Sequence, residues 1–401
     1  MYLDGNASEW GRIYIILKMI SEKGCFKGNT SFKINEKSSP LKLIRFERDN
    51  NMSISSFSFS ESGALICREE PKESKESVGS GSYTQDFNPE DYGMVVSENV
   101  EESFETVIES KESIIEIDEI KNVCEQLLNL IKKNKDGNFS DEATESLLER
   151  MFIYDFYSPS LTGEDLRAVF YDNDIQCERY FPVRLKPTFS NLYLIESNRA
   201  SNFKYDIIDV KLSNPEANKI NYLGDTETGS LIRLQEIFRL GGKLKFTSVE
   251  GKFFQSALQL IDMNMPRLTS EAIKLFYTSD AVSVSSICDK INRINPFKVK
   301  DEMIEKSRVY EYKFRQLLYH AATGLKPTKT WKGNGNIHLQ IFTGKNGELL
   351  AYDPSNKEQF EKFLFHNTRF CLANEEKNKF GQVEKENGQW LFKLNLEIRF
   401  I

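Results

Sequence analysis

Apolar residues return at helical spacing almost as soon as the chain begins. In residues 6–20, NASEWGRIYIILKMI, Ile13, Ile16, Leu17 and Ile20 share one face, and Ser8 is the expected N-cap. Short strand-like segments follow at Ser31–Ile34 and Leu41–Phe46. Residues 68–92 are rich in Ser, Gly, Glu and Lys, a composition that predicts a loop or partly disordered insertion. Between Glu98 and Glu119 nine acids stand against one Lys. Such a run reads as a solvated face, with a phosphate-mimicking acidic flap as the sharper alternative.

Helical patterns resume at 118–134 and 140–151, the second opened by Ser140 with acids in its first turn, as the helix dipole favours. The period then changes. Leu166–Tyr171 and Phe181–Leu185 are β-prone runs separated by the polar turn residues Asp172, Asn173 and Asp174, and Asn202–Val210 is another such run. Leu231–Phe238 is helical and stops at Gly241–Gly242, followed by a strand at Lys243–Val249. Helices are expected near 254–262, 270–277 and 283–294. The tail from Ile337 to Ile401 mixes strands and a helix, with Asn346–Gly347 as a hairpin signal. No internal repeat is visible. This order predicts a mixed α/β (α+β) fold. It divides into 1–67 (N-terminal helix and strands), 68–120 (acidic insertion) and 121–401 (remaining core and C-terminal region).

Composition narrows the class only a little. Hydrophobic residues make up 39% of the 401 and charged residues 28%, with 29 Phe available for a core. The net charge of −7 argues against a protein coated in positive charge, yet a groove needs only a local basic lining. No two of the six cysteines fall at CxxC spacing, which disfavours a zinc site, and their scatter fits reduced thiols in a cytoplasmic protein. No run reaches the roughly 18 apolar residues of a membrane span, and Ile13–Leu17 reads as part of a helix rather than a signal peptide. The absence of a P-loop, dinucleotide fingerprint or nucleophile elbow disfavours NTPases, dehydrogenases and serine hydrolases.

The stretch 155–187, DFYSPSLTGEDLRAVFYDNDIQCERYFPVRLKP, carries the candidate chemistry. A metal-dependent phosphodiesterase needs carboxylates to hold Mg²⁺ against the scissile phosphate and a cation to steady the attacking hydroxide. A hairpin can supply both, with an Asp opening one strand and an acid and a Lys two positions apart on the other. Asp165 fits the first role and Lys186 the last. The position two before Lys186 holds Arg184 instead of an acid, and the nearby Glu178 lies toward the other end of the strand. On spacing alone, a surface hairpin with ordinary charges explains the pattern as well.

Several blocks, in order from end to end, resemble the HpaII-like restriction endonucleases. They are SEWGRIYIILKMI (8–20), SPSLTGEDL (158–166), SNRASNFKYDI (197–207), LGGKLKF (240–246), EYKFRQLL (311–318) and GLKPTKTWKGN (324–334). LFHNTRF (364–370), KFGQV (379–383) and GQWLFKLNLEIRF (388–400) complete the series. The resemblance implies a type II endonuclease with a PD-(D/E)XK core sheet flanked by helices, Mg²⁺, a short CCGG-type target in double-stranded DNA, a homodimer and a companion DNA methyltransferase. It places Asp165 on the metal-binding Asp and Glu9 on an acid of the first helix, beside which Arg12 replaces a second acid. The family's Ser-Ile-Lys strand corresponds either to Pro182-Val183-Arg184 or to Arg184-Leu185-Lys186. Pro182 and Pro187 are unexpected beside a paired strand. A cleavage-deficient DNA-binding relative and a non-enzymatic interaction protein therefore stay open as alternatives.

Basic residues concentrate late in the chain, with ten Lys or Arg against four acids in 293–332. Lys313, Arg315, Lys326, Lys329 and Lys332 could track phosphates with Tyr312 and Trp331 between them, although an ordinary solvated helix and loop would look the same. Arg199 and Asn202 have the chemistry to pair with guanine and adenine in a groove, with local turn capping as the alternative. His320, His338 and His366 are too scattered for a motif and read as structural.

Overall fold

Helix α1 (Ala7–Ser21) forms where the apolar period predicts it, but its N-cap is Asn6 rather than Ser8. The Asn6 side chain accepts from the N–H groups of Ser8 and Glu9, and the Glu9 carboxylate accepts in return from Asn6 N. This reciprocal box satisfies donors that the first helical turn leaves without partners. In the computed structural model, residues 2–72, 110–160, 162–224, 228–305 and 307–401 are described. The architecture is mixed α/β.

The remaining helices are α2 (Ile117–Lys133), α3 (Glu142–Arg150), α4 (Asn214–Asn221), α5 (Gly229–Arg239), α6 (Lys252–Ile261), α7 (Met265–Thr278), α8 (Val284–Ile294), α9 (Asp301–Glu305), α10 (Val309–Thr323), α11 (Lys357–His366) and α12 (Glu375–Asn378). Asp141, not Ser140, caps α3, accepting from Thr144 N. Gly241, at φ +87°, ends α5 as its sequence predicts.

The strands are β1 (Gly24–Lys27), β2 (Leu41–Asp49), β3 (Ser53–Phe59), β4 (Leu65–Pro71), β5 (Lys111–Ile115), β6 (Leu166–Asp172), β7 (Cys177–Lys186), β8 (Tyr193–Ile195), β9 (Asn202–Ile208), β10 (Lys243–Val249), β11 (Leu339–Thr343), β12 (Leu349–Tyr352), β13 (Thr368–Phe370), β14 (Val383–Glu386), β15 (Gln389–Asn395) and β16 (Ile398–Phe400). Nine of them form one sheet in the order β1-β12-β11-β7-β6-β2-β3-β4-β5. A four-stranded sheet runs β10-β9-β15-β14 and a three-stranded one β13-β16-β8. The expected strand at Ser31–Ile34 is instead a loop. Asn29 Oδ1 accepts from the N–H groups of Ser31 and Lys33, and Phe32 sits at φ +57°. The segment predicted as an insertion is entered by β4 and left by β5, which pair with each other; residues 73–109, including most of its acidic run, lie outside the described residues.

Two cores flank the large sheet. Trp10, Ile13, Ile16 and Leu17 of α1 pack with α2 onto Phe170, Val183, Leu185 and Ile341. Each such fully buried aliphatic side chain contributes about 1.5–3 kcal/mol. The other core joins the four-stranded sheet to the C-terminal helices and receives Phe342 and Tyr352 from the large sheet. Ile341 and Phe342 are neighbours on β11 yet enter different cores, the period of two that a strand imposes. By the same alternation, Val183 and Leu185 fill the α1 side while Arg184 and Lys186 face away from it.

Candidate active site

The hairpin of β6 and β7 lies in the middle of the large sheet, with β11 running parallel to β7 on its other side. Its register sets Leu166 opposite Val183, and Asp165 N donates to Val183 O at 2.8 Å. Asp165 therefore lies across from Arg184. Beyond the start of β6, the N–H of Leu185 has no strand to bond, and Asp165 Oδ2 accepts it at 2.8 Å. Pro182 is tolerated because alternation points its missing N–H toward β11, whose pairing begins one residue later, at Leu339 with Val183.

Four cations surround this carboxylate. Arg12 reaches across from α1 and makes an ion pair with Asp165 Oδ1, while its guanidinium stacks 4.7 Å from the Tyr157 ring. Arg48, on β2, is 2% exposed and donates through Nη2 to the Asp155 carbonyl at 2.6 Å. Burial pushes its pKa down to about 10, with Asp165 opposing the shift. Arg184 donates from Nε to His338 Nδ1 at 3.0 Å. Lys186 completes the group. Burial, reinforced by Arg184, pushes its ammonium down to about 8 against the pull of Asp165. Among the described residues, only Arg12 of these four forms an ion pair with a carboxylate, and Arg12 Nε and Arg48 Nη1 are buried without any hydrogen-bond partner.

The surrounding loops close on this cluster. Gly163, at φ +81°, takes a left-handed backbone that favours glycine, and it passes close to the end of the Arg184 guanidinium. Asn336, at the end of the lysine-rich loop 324–338, donates to the Thr162 carbonyl at 2.8 Å. His338 starts the run into β11 and is 5% exposed. Burial, then Arg184, lowers its pKa, so it stays neutral and keeps Nδ1 free to accept.

The other candidates are dispersed. Glu9 is engaged in the α1 cap rather than directed at Asp165. Glu178 is exposed near the turn end of β7, eight residues from Lys186, which is about 26 Å of strand, and does not join the cluster. Asn202 is fully buried and holds Glu250, the Asn378 carbonyl and Asn395, so it cannot reach a DNA groove. Arg199 is exposed but paired with Glu250 at 2.8 Å. Lys313 is paired with Asp262. Lys329 and Lys332 are exposed on the 324–338 loop. Trp331, expected between phosphates, is instead buried against His320, its ring centroid 4.9 Å away.

These residues do not fit a divalent-cation cradle. A hard cation such as Mg²⁺ wants free oxygen ligands. Both oxygens of Asp165 are engaged, and the place of a second acid is held by Arg184. Among the described residues no three His, Cys, Asp or Glu side chains converge on one point. Sequence reading missed Arg48 and the His338–Arg184 bond altogether. Their partners are remote in the chain, and neither residue belongs to a recognisable spacing.

A family model described as HpaII restriction endonuclease matches residues 84–400. The type II restriction enzyme HpaII of Haemophilus parainfluenzae is 29% identical over 273 residues, which cover 67% of this chain and 74% of that protein. No solved structure matches the chain. The matched span contains Asp165, Arg184, Lys186 and His338, whereas Arg12 and Arg48 precede it.

Proposed function

From the premise that this chain belongs to the HpaII restriction endonuclease family, we propose that it is a type II site-specific endonuclease that hydrolyses double-stranded DNA at the Asp165–Arg184–Lys186 end of the central hairpin. The observation that carries the reading is Asp165 fixed opposite an Arg-x-Lys strand whose Lys186 is held near pH 8. A lysine so placed is about one-tenth neutral at pH 7 and can take a proton from water as the water oxygen attacks phosphorus, while one P–O bond to a sugar oxygen breaks and that oxygen takes a proton from solvent. Arg184, steadied by His338, would hold the negative charge that grows on the phosphate oxygens.

On this reading the β6–β7 hairpin with parallel β11 is a PD-(D/E)XK-like core. Endonucleases of this kind usually use a divalent metal, and Mg²⁺ on Asp165 is the expectation carried from the family. Because the present donor set does not fit that ion, no step is routed through it. Lys329 and Lys332 are the proposed phosphate contacts, whereas Arg199 and Lys313 are already paired with Glu250 and Asp262. The proposal extends to a CCGG-like palindromic target, a homodimer matched to it, and a companion methyltransferase that protects the same site. A cytoplasmic setting is part of the proposal; no helix among the described residues is long and apolar enough to cross a membrane.

Arg184 in an acid's place favours a second reading, a relative that binds DNA without cutting it. Incubation of the purified chain with plasmid and MgCl₂ separates the two. Discrete fragments that vanish in Asp165→Ala support cleavage. Retained binding with uncut plasmid supports the second reading.

A further inference from the structure

We propose that Arg12 is a DNA-binding residue: with Arg184 and Lys186 it forms a pocket for one backbone phosphate that needs no divalent ion. The inference rests on the reading of this site as the DNA site and goes beyond it by assigning a further residue and the means of holding the anion.

Arg12, Arg48, Arg184 and Lys186 all act electrostatically with Asp165, and only Arg12 touches it. Arg12 keeps a buried Nε without a partner beside the nitrogen that meets Asp165. Arg12, Arg184 and Lys186 stand against Asp165 and Glu164, and the one positive charge left over suits an acceptor-rich anion. A phosphodiester supplies one negative charge and two free oxygens, and guanidinium groups match phosphate oxygens in pairs.

Geometry favours DNA as the source of that anion. The pocket lies beside the loop that carries Lys326, Lys329 and Lys332, and Lys326 contributes to the field on Lys186. Asn336 ties this loop to Thr162 at the pocket rim. Tyr157, half exposed, supports the face of the Arg12 guanidinium, leaving its edge to exchange Asp165 for a phosphate. Asp165 then serves in the free protein as the placeholder for the anion.

The test is binding of a fluorescein-labelled duplex oligonucleotide containing CCGG, followed by anisotropy in EDTA at several KCl concentrations. The wild type should bind in EDTA. Arg12→Gln should bind about tenfold more weakly, the worth of one charge-assisted contact, with a log K against log salt slope shallower by about 1. Arg12→Lys should regain the slope but only part of the affinity. Asp165→Asn, which removes the competing charge and keeps the shape, should bind several-fold more tightly.

Unchanged affinity and slope in Arg12→Gln, weaker binding by Asp165→Asn, or wild-type binding that appears only on adding Ca²⁺ would overturn the proposal. A wild type that binds no duplex in either condition overturns the endonuclease reading itself, and one that binds in EDTA as described but never cuts overturns only its catalytic part.

Discussion

The end of the β6–β7 hairpin and the C-terminal half of the molecule both bury positive charge, and they treat it differently. In the C-terminal half, three cations with little exposure each meet an acid. Arg233 and Glu375, each 6% exposed, meet at 2.8 Å; Arg315 meets Glu361 at 3.0 Å; Lys393 meets Glu384 at 2.9 Å. Arg233 also donates to the Gly381 carbonyl, and Glu375 accepts from Ser230 N, so the pair stitches α5 to the α12 region. Around Asp165, three guanidinium groups and an ammonium form a single ion pair among the described residues, with Glu164, Asp155 and Asp49 acting on them without forming ion pairs with them. Matched charge specifies how elements dock. Unmatched charge is a standing destabilisation that a ligand of opposite sign relieves, and that difference separates a structural polar core from a site.

The sharpest way to break this comparison is to alter the two groups that the hairpin holds together. Lys186→Met should lower DNA cleavage by about 10²–10⁴-fold if the amine moves a proton. The wild-type rate should climb with pH up to about 8 and level off above it, because lowering a lysine pKa enlarges its neutral fraction as pH rises through that value. The methionine variant should lose this rise. A wild-type pH profile flat from 6 to about 9 would remove Lys186 from the chemistry. Next in size, Glu375→Ala strands Arg233 in the core and should reduce stability by about 3–5 kcal/mol, read as an earlier denaturant midpoint. Duplex binding by the folded variant should not change; if it weakens while stability holds, the paired region is part of the DNA site after all.

Much of the scaffold was legible. The period of two around Asp172–Asp174 found the hairpin, Gly241 marked the end of α5, and Asn346–Gly347 marked the turn between β11 and β12, where Gly347 takes φ +90°. Asp165 and Lys186 could be singled out because strand alternation is a local rule. What stayed hidden depends on tertiary proximity. Arg12 and Asp165 are 153 residues apart, and Arg184 and His338 are 154 apart, separations that no spacing rule spans. Residue type also misled. Asn202 has the donors and acceptors of an adenine reader, but its amide is consumed by Glu250, Asn378 and Asn395. Asn202→Ala should therefore cost about 1–3 kcal/mol of stability through the polar groups it leaves unpaired, measured by urea denaturation, with no shift in the salt dependence of DNA binding.

The smallest effects should come from the basic stretch that composition alone made conspicuous, and they can divide it. Lys313 already has Asp262 as a partner, whereas Lys329 and Lys332 are exposed on the 324–338 loop beside the pocket. An exposed lysine that meets a phosphate adds less than about 1 kcal/mol, but it releases a counter-ion when DNA binds. Lys329→Gln and Lys332→Gln should each flatten the salt dependence by about one contact and change affinity uniformly across sequences. Lys313→Gln should leave the slope unchanged, because Asp262 has already compensated its charge. Were Lys313→Gln to flatten the slope as much as Lys332→Gln does, pairing within the protein would not predict which cations DNA recruits, and the distinction between matched and unmatched charge would fail at the surface.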